Sequence, residues 1–184
     1  MYVDGYNFYY GLLSGTPYKW LNLKSLLQAL LREHEPEAEL IGVKFFTSDV
    51  LTNLARHGQD SQRAQQIYHR ALQTQGVALI KGFHSLSPSL MPMRDPAQPK
   101  NYDCEVAVWK LEEKQTDVNL ALNVYADAVH NRCEQVLICS NDTDLEPALK
   151  LVYETLNTRI GVIFPRRAEK NSRPPSAGLQ LYAH

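Results

Sequence analysis

Little in this 184-residue chain is suited to cross-linking, anchoring or coating a surface with charge. Its three cysteines, Cys104, Cys133 and Cys139, are odd in number, far apart, and set in or beside apolar runs. That excludes a disulfide framework and a zinc site, and it implies reduced thiols. No apolar run reaches the length of a membrane span, and the first residues lack the basic-then-apolar layout of a secretion signal, so the expected compartment is cytoplasmic. The formal net charge is only -1. A protein coated in positive potential is thereby ruled out, and any nucleic-acid surface must be a local patch. Several chemical signatures are missing as well. No G-x-G-x-x-G follows a strand, and there is no phosphate-loop lysine motif. The six histidines form no H-E-x-x-H pair, and no serine sits in G-x-S-x-G.

What is present is an ordinary globular composition, 44% hydrophobic and 21% charged, in a length that suits one domain with a sizeable core. The organising stretch is VLICSNDTDLEPAL (136–149). An apolar run at 136–139, long enough to be a buried strand, empties into Ser140, Asn141, Asp142, Thr143 and Asp144. A helix-period pattern then starts at once, with Leu145, Leu149, Val152 and Leu156 on one face. The start of the chain repeats this layout in miniature: a short strand at 1–3 runs out into Asp4, Gly5 and Asn7, with an aromatic cluster of Tyr6, Phe8, Tyr9 and Tyr10.

Between these two stretches, strands and helices alternate. Asn22 is placed to cap a helix whose apolar stripe is Leu23, Leu26, Leu27, Leu30 and Leu31. A strand at 40–46 closes on Thr47, Ser48 and Asp49. Another helical pattern, Ala64 to Leu72, ends at Gly76, and a strand begins at Val77. From 85 to 100 the prolines Pro88, Pro92, Pro96 and Pro99 space out a polar stretch that reads as a surface loop. Residues 102–111 resume an extended pattern, either one strand of a small hairpin or an edge strand. Glu112 to Asp117 feed a helix carrying Val118, Ala121, Leu122, Tyr125 and Val129, and a last buried strand at 159–164 stops at Pro165. The remainder, 166–184, is the most basic part of the chain, with Arg166 and Arg167 as candidate anion contacts and a solvated tail as the commoner fate of such a run.

This alternation predicts an α/β domain over 1–165: a mostly parallel central sheet with helices on both faces and right-handed crossovers. All parallel strands point the same way, so Asp4, Asp142 and Asp144 come to one edge of the sheet. Asp117, in the first turn of a helix over that edge, can join them. Each of these acids also serves, taken singly, as a helix cap or dipole partner. Gathered together they repel one another unless a cation compensates, and an all-oxygen ligand set selects Mg²⁺ or Mn²⁺.

Three blocks carry a resemblance: VDGYNFYYG (3–11), EEKQTDVNLA (112–121) and SNDTDLEPA (140–148). Together, in this order and spacing, they are similar to the NYN domain, the LabA-like branch of the PIN-like nuclease superfamily, and the similarity reaches to about Pro165. The resemblance implies a metal-dependent ribonuclease in which Asp4, Asp117, Asp142 and Asp144 hold the ion and Asn7 orients a metal-bound water or a phosphate oxygen. Lys114 is then placed to neutralise phosphate and Ser140 to bond it; an exposed lysine and a strand-end hydroxyl are the plainer readings of the same residues. Such an enzyme hydrolyses RNA, single-stranded by preference. Tyr6, Phe8, Tyr9 and Tyr10 offer a stacking surface, although at least two of them are expected to pack beneath the first loop. The alternative is a non-catalytic RNA-binding or regulatory scaffold of the same fold, with a homodimer left open. Where the family usually has glycine this chain has Gln115 and Asn141. Asparagine tolerates a left-handed turn and glutamine does so less readily.

Overall fold

The structure, a computed structural model, describes residues 1–93, 105–156, 158–166 and 179–182. A six-stranded sheet forms the middle layer, in the order β3-β2-β1-β6-β7-β8. Its strands are β1 (Tyr2–Asp4), β2 (Val43–Thr47), β3 (Val77–Lys81), β6 (Gln135–Cys139), β7 (Arg159–Ile163) and β8 (Leu179–Tyr182). All pair in parallel except β8, which runs antiparallel to β7. The helices are α1 (Gly5–Phe8), α2 (Leu23–His34), α3 (Gly58–Thr74), α4 (Thr116–Val129) and α5 (Glu146–Thr155). The expected α/β architecture, a largely parallel sheet between two helical layers, is therefore present.

Strand alternation divides the interior into two cores, as the period of two along a strand requires. Tyr2, Phe46, Val136, Ile138 and Ile160 face one way and pack against Leu120, Val124 and Ala128 of α4 and Val152 of α5. Val3, Val43, Phe45, Val77 and Cys139 face the other way, against Phe8, Leu23, Leu27 and Leu72. The α2 stripe arises as its spacing dictates, and Asn22 caps it by accepting from the Ser25 amide at 3.1 Å. Gly76, with φ of 76°, supplies the left-handed residue that ends α3.

Two sequence boundaries need correction. Residues 85–92 are not loop: β4 (Phe83–Pro92) pairs antiparallel with β5 (Glu105–Lys114) in a separate two-stranded ribbon. The prolines misled because proline breaks a central strand, whereas a two-stranded ribbon has an open edge on each strand where its missing N–H is harmless. The part of the expected loop from 94 to 100 lies outside the described residues. Nor is 166–184 simply a tail, because β8 extends the sheet and covers the ladder that β7 would otherwise leave open. Residues 167–178, and Arg167 with them, lie outside the described residues.

The order of the strands decides where a ligand can sit. From β1 the chain builds outward to β2 and β3, and it later returns to the other side of β1 with β6 and β7. Neighbouring connections thus leave β1 and β6 in opposite directions, and the crevice at their carboxyl ends is the usual binding place of such sheets. Helix α4 runs back across this sheet. Its first turn lies at the rim where strands end, and its last turn lies at the edge where they begin.

Candidate functional site

Asp4 ends β1 at that crevice, 2% exposed, on the sheet face that α4 covers. Its Oδ1 accepts from the amides of Tyr6 at 3.1 Å and Asn7 at 3.0 Å, so it caps the short helix α1. Its Oδ2 accepts from the Asn7 side-chain amide and from Ser140 Oγ, the latter at 2.9 Å. Both oxygens of this buried carboxylate are therefore committed to protein donors, which is how such a charge is tolerated. Ser140 is buried too; its Oγ accepts from the Asp142 amide at 3.0 Å and so ties the end of β6 to the end of β1. Asp142 in turn caps the next turn, accepting from the Asp144 amide at 2.8 Å.

Asp117, on the first turn of α4, looks into the same crevice. Loss of water pushes its carboxyl up to about 6, and the charges of Asp4, Asp142, Glu113 and Asp144 add to the effect. The expected acids thus share one rim and feel one another's charge. Glu113 deserves more weight than its place in the sequence suggested. Its Oε1 accepts from Ser48 Oγ and from Thr116 Oγ1, each at 2.7 Å, and so joins the end of β2 to the start of α4. Lys114, one residue on, points to the opposite face of β5 and pairs with Glu112 at 3.2 Å, away from the crevice. Arg166 is exposed and lies over the Phe164 ring at 5.6 Å.

The aromatic cluster splits. Phe8 is buried and Tyr9 half-buried, whereas Tyr6 and Tyr10 are exposed, 4.9 Å apart between ring centroids. The His84 ring lies 6.2 Å from Tyr6, and its Nδ1 is 2.9 Å from Asp49 O. Burial, then Tyr10 and Glu113, pushes the Tyr6 phenol up to about 12, which places this shelf beside the acidic rim. Ser48, Thr116 and His84 were not picked out from the sequence. Ser48 follows β2 as Asp4 ends β1, so the rule that strand ends meet at one rim already pointed to it.

The two glycine replacements behave differently. Gln115 takes φ of 72°, a left-handed conformation that costs a side-chain-bearing residue about 1 kcal/mol. It is held there because Gly82 packs against the segment so closely that an added Cβ would lie 2.3 Å from Lys114 O. Gln115→Gly is expected to raise stability by up to about 1 kcal/mol in urea melts; unchanged or lower stability would mean that the glutamine side chain compensates. Asn141 is not left-handed. Instead its Nδ2 donates to Pro165 O at 3.0 Å, which fixes the end of β7 against the end of β6.

Among the described residues no three Asp, Glu, His or Cys side chains converge as a metal-holding group. The reason lies in the bonding. Asp4 has given its oxygens to amides and a hydroxyl, and Asp142 is turned to cap its own turn, so proximity is enough for repulsion without yielding a shared ligand set. A phosphate-bearing redox cofactor fits the rim no better, since the α1 amides that would cradle an anion already face Asp4 and the surrounding charge is negative. Thiol chemistry is unsuited as well: burial pushes Cys139 up to about 12.

Fold and site together define an α/β protein with a buried capping aspartate and a protonatable acidic rim at the reversal of strand order. No protein-family model matches the chain, and no solved structure matches it. The chain is 36% identical, over 202 aligned residues, to 6-hydroxy-3-succinoylpyridine 3-monooxygenase HspA of Pseudomonas putida (strain DSM 28022 / S16). The match takes in 100% of this chain and 64% of that protein, so the chain spans a little under two thirds of its relative's length. This finding overturns the expectation of a ribonuclease, or of any RNA hydrolase, because the relative alongside the whole chain is named for an oxidation. The expectation of Mg²⁺ or Mn²⁺ falls with it, and the bonding of Asp4 and Asp142 supplies the physical reason.

Proposed function

We propose that this chain belongs to an oxidative enzyme that hydroxylates an aromatic ring already bearing a hydroxyl group, with a hydroxypyridine as the nearest chemical type. The observation that carries the reading is the 36% identity along the full length of the chain to a protein named as a monooxygenase of a hydroxylated pyridine. The site is compatible with that chemistry. Removing the proton from a ring hydroxyl makes the ring electron-rich and ready to accept electrophilic oxygen, and a carboxyl poised near 6 is a competent base for this at neutral pH. We assign that step to Asp117, with Tyr6 and Tyr10 as the apolar shelf under the ring. Asp4, Asn7 and Ser140 act one step removed by fixing the ends of β1 and β6. A monooxygenase also consumes dioxygen, two electrons and two protons, placing one oxygen atom in the product and the other in water; the electrons come from an external reductant and the protons from solvent.

The NYN-like blocks then describe a kinship of scaffold, since one fold carries unrelated chemistries. No helix among the described residues is long and apolar enough to cross a membrane. The free thiols of Cys133 and Cys139 favour a cytoplasmic setting. The test is incubation with hydroxypyridines and a two-electron reductant under ¹⁸O₂, followed by mass spectrometry. One ¹⁸O in a hydroxylated product supports the reading; absence of both product and oxygen uptake with every reductant tried would sink it.

A further inference from the structure

Helix α4 is apolar on two sides. Leu120, Val124 and Ala128 face the sheet and are buried. Val118, Leu122, Tyr125 and Val129 form one stripe on the outward side and are 61%, 60%, 41% and 42% exposed, so no described element covers them. A helix that is apolar all round is normally buried on both sides. A membrane surface does not suit the stripe, because α4 contains no lysine or arginine to border it.

We infer that the outward stripe of α4 docks on the same stripe of a second copy of this chain, with the two helices antiparallel. Three features select that occupant. The first is that the stripe is balanced about its middle. Val118 and Val129, like Leu122 and Tyr125, stand at equal distances from the point between Asn123 and Val124. A two-fold axis at that point, perpendicular to the helices, exchanges the copies and reverses their direction. It brings Val118 of each copy level with Val129 of the other, and Leu122 level with Tyr125, as a symmetric interface demands. Ala121 and Ala126, equally spaced about the same point, flank the central layers and let the backbones approach. The second feature is charge. Asp117, at the start of α4, stands among Asp4, Asp142, Glu113 and Asp144. Near the end of α4, Lys44 and Arg132 meet around Asp127. Antiparallel packing sets the acidic start of one helix beside the basic end of the other and opposes their dipoles, whereas a parallel pair sets like beside like. The third is size. The stripe and its borders bury roughly 500 Å² per copy, so about 1,000 Å² in all, where specific interfaces begin.

The inference is independent of the oxidative reading and concerns assembly alone. It is tested by light scattering after gel filtration and by sedimentation at micromolar concentrations, where wild type is expected to be a dimer. Leu122→Glu places two charges at the middle of one symmetric interface and is expected to weaken association at least about a hundredfold, giving a monomer. Ile67→Glu, exposed on α3 in the opposite helical layer, is expected to remain dimeric. Cysteine pairing tests the direction of packing. Val118→Cys and Val129→Cys proteins, mixed and mildly oxidised, are expected to cross-link to each other. Each alone is expected to cross-link no more than wild type, because its two new thiols lie about 16 Å apart along the helices. A monomeric wild type overturns the inference, whether the stripe is then bare or held by another protein. A dimer that survives Leu122→Glu overturns it equally, as do single cysteine variants that cross-link as well as their mixture.

Discussion

Asp117→Asn is expected to lose turnover by a factor of about 10² to 10⁴, the usual worth of a positioned general base, while the folded protein becomes slightly more stable at neutral pH. The two effects have one cause. In the native protein this carboxyl is held up to about 6 by lost hydration and by the neighbouring Asp4, Asp142, Glu113 and Asp144. Folding therefore favours its protonated form. The favourable contribution is complete below the ordinary carboxylate pKa and disappears as pH rises through about 6, leaving a repulsive rim at pH 7. Because Asp117 is exposed, solvent screening keeps this cost below about 1 kcal/mol. Wild-type activity should rise with pH through about 6 and then level off. The asparagine variant should lack that rise and should melt higher than wild type at pH 7.5, with the gap closing below pH 4. A variant that keeps wild-type turnover and the same pH profile would remove Asp117 from the chemistry.

The largest effect on stability is expected at the other end of the same helix. Asp127, its side chain 8% exposed, accepts from Tyr2 Oη at 2.5 Å, from Lys44 Nζ at 2.5 Å and from Arg132 Nη1 at 3.0 Å. Lys44 also donates to Asn123 Oδ1 at 2.9 Å. Burial pulls the Asp127 carboxyl upward, but the bonds from Lys44, Tyr2 and Arg132 outweigh it and hold the group below its ordinary range. Asp127→Ala strands a half-buried ammonium and a buried phenol, so a loss of about 3 kcal/mol is expected in urea unfolding at pH 7. The sign of the pH dependence is opposite to that at Asp117. Here the stabilisation is complete above the ordinary carboxylate pKa and is lost as pH falls through the lower native value. Wild type should therefore weaken more steeply than the variant on acidification below pH 4. A loss under 1 kcal/mol at pH 7 would mean that the cluster is ornamental.

The parallel sheet was legible because its strands are short apolar runs separated by helix-period stripes; the stripe read on α4 is the exception, since Val118, Leu122, Tyr125 and Val129 are exposed and the helix buries Leu120, Val124 and Ala128 instead. Asp4 and Asp142 were legible as rim residues for the same reason, since a parallel sheet brings all strand ends to one side. Their chemistry was not legible. Whether four acids hold an ion depends on which of their oxygens already accept from the backbone, and that was settled by the turn after Asp4 and by Ser140, features without a composition signal. Lys114 and Glu113 show the limit clearly: adjacent in sequence, they point to opposite faces of β5, and only the register of a ribbon whose first strand reads as loop says which one meets the rim. Residues 179–182 escaped notice because four residues of strand carry too little periodicity to stand out beside a basic run.

The three-residue strand β1 has a consequence for how the molecule is assembled. It lies at the middle of the sheet and pairs on one side with β2, and on the other with residues far along the chain, Tyr2 with Ile138 and Val3 with Cys139. A ribosome has added everything from β1 through α4 before that second partner exists. Until then β1 has one open flank and Asp4 lacks Ser140, so the crevice cannot take shape before β6 is synthesised.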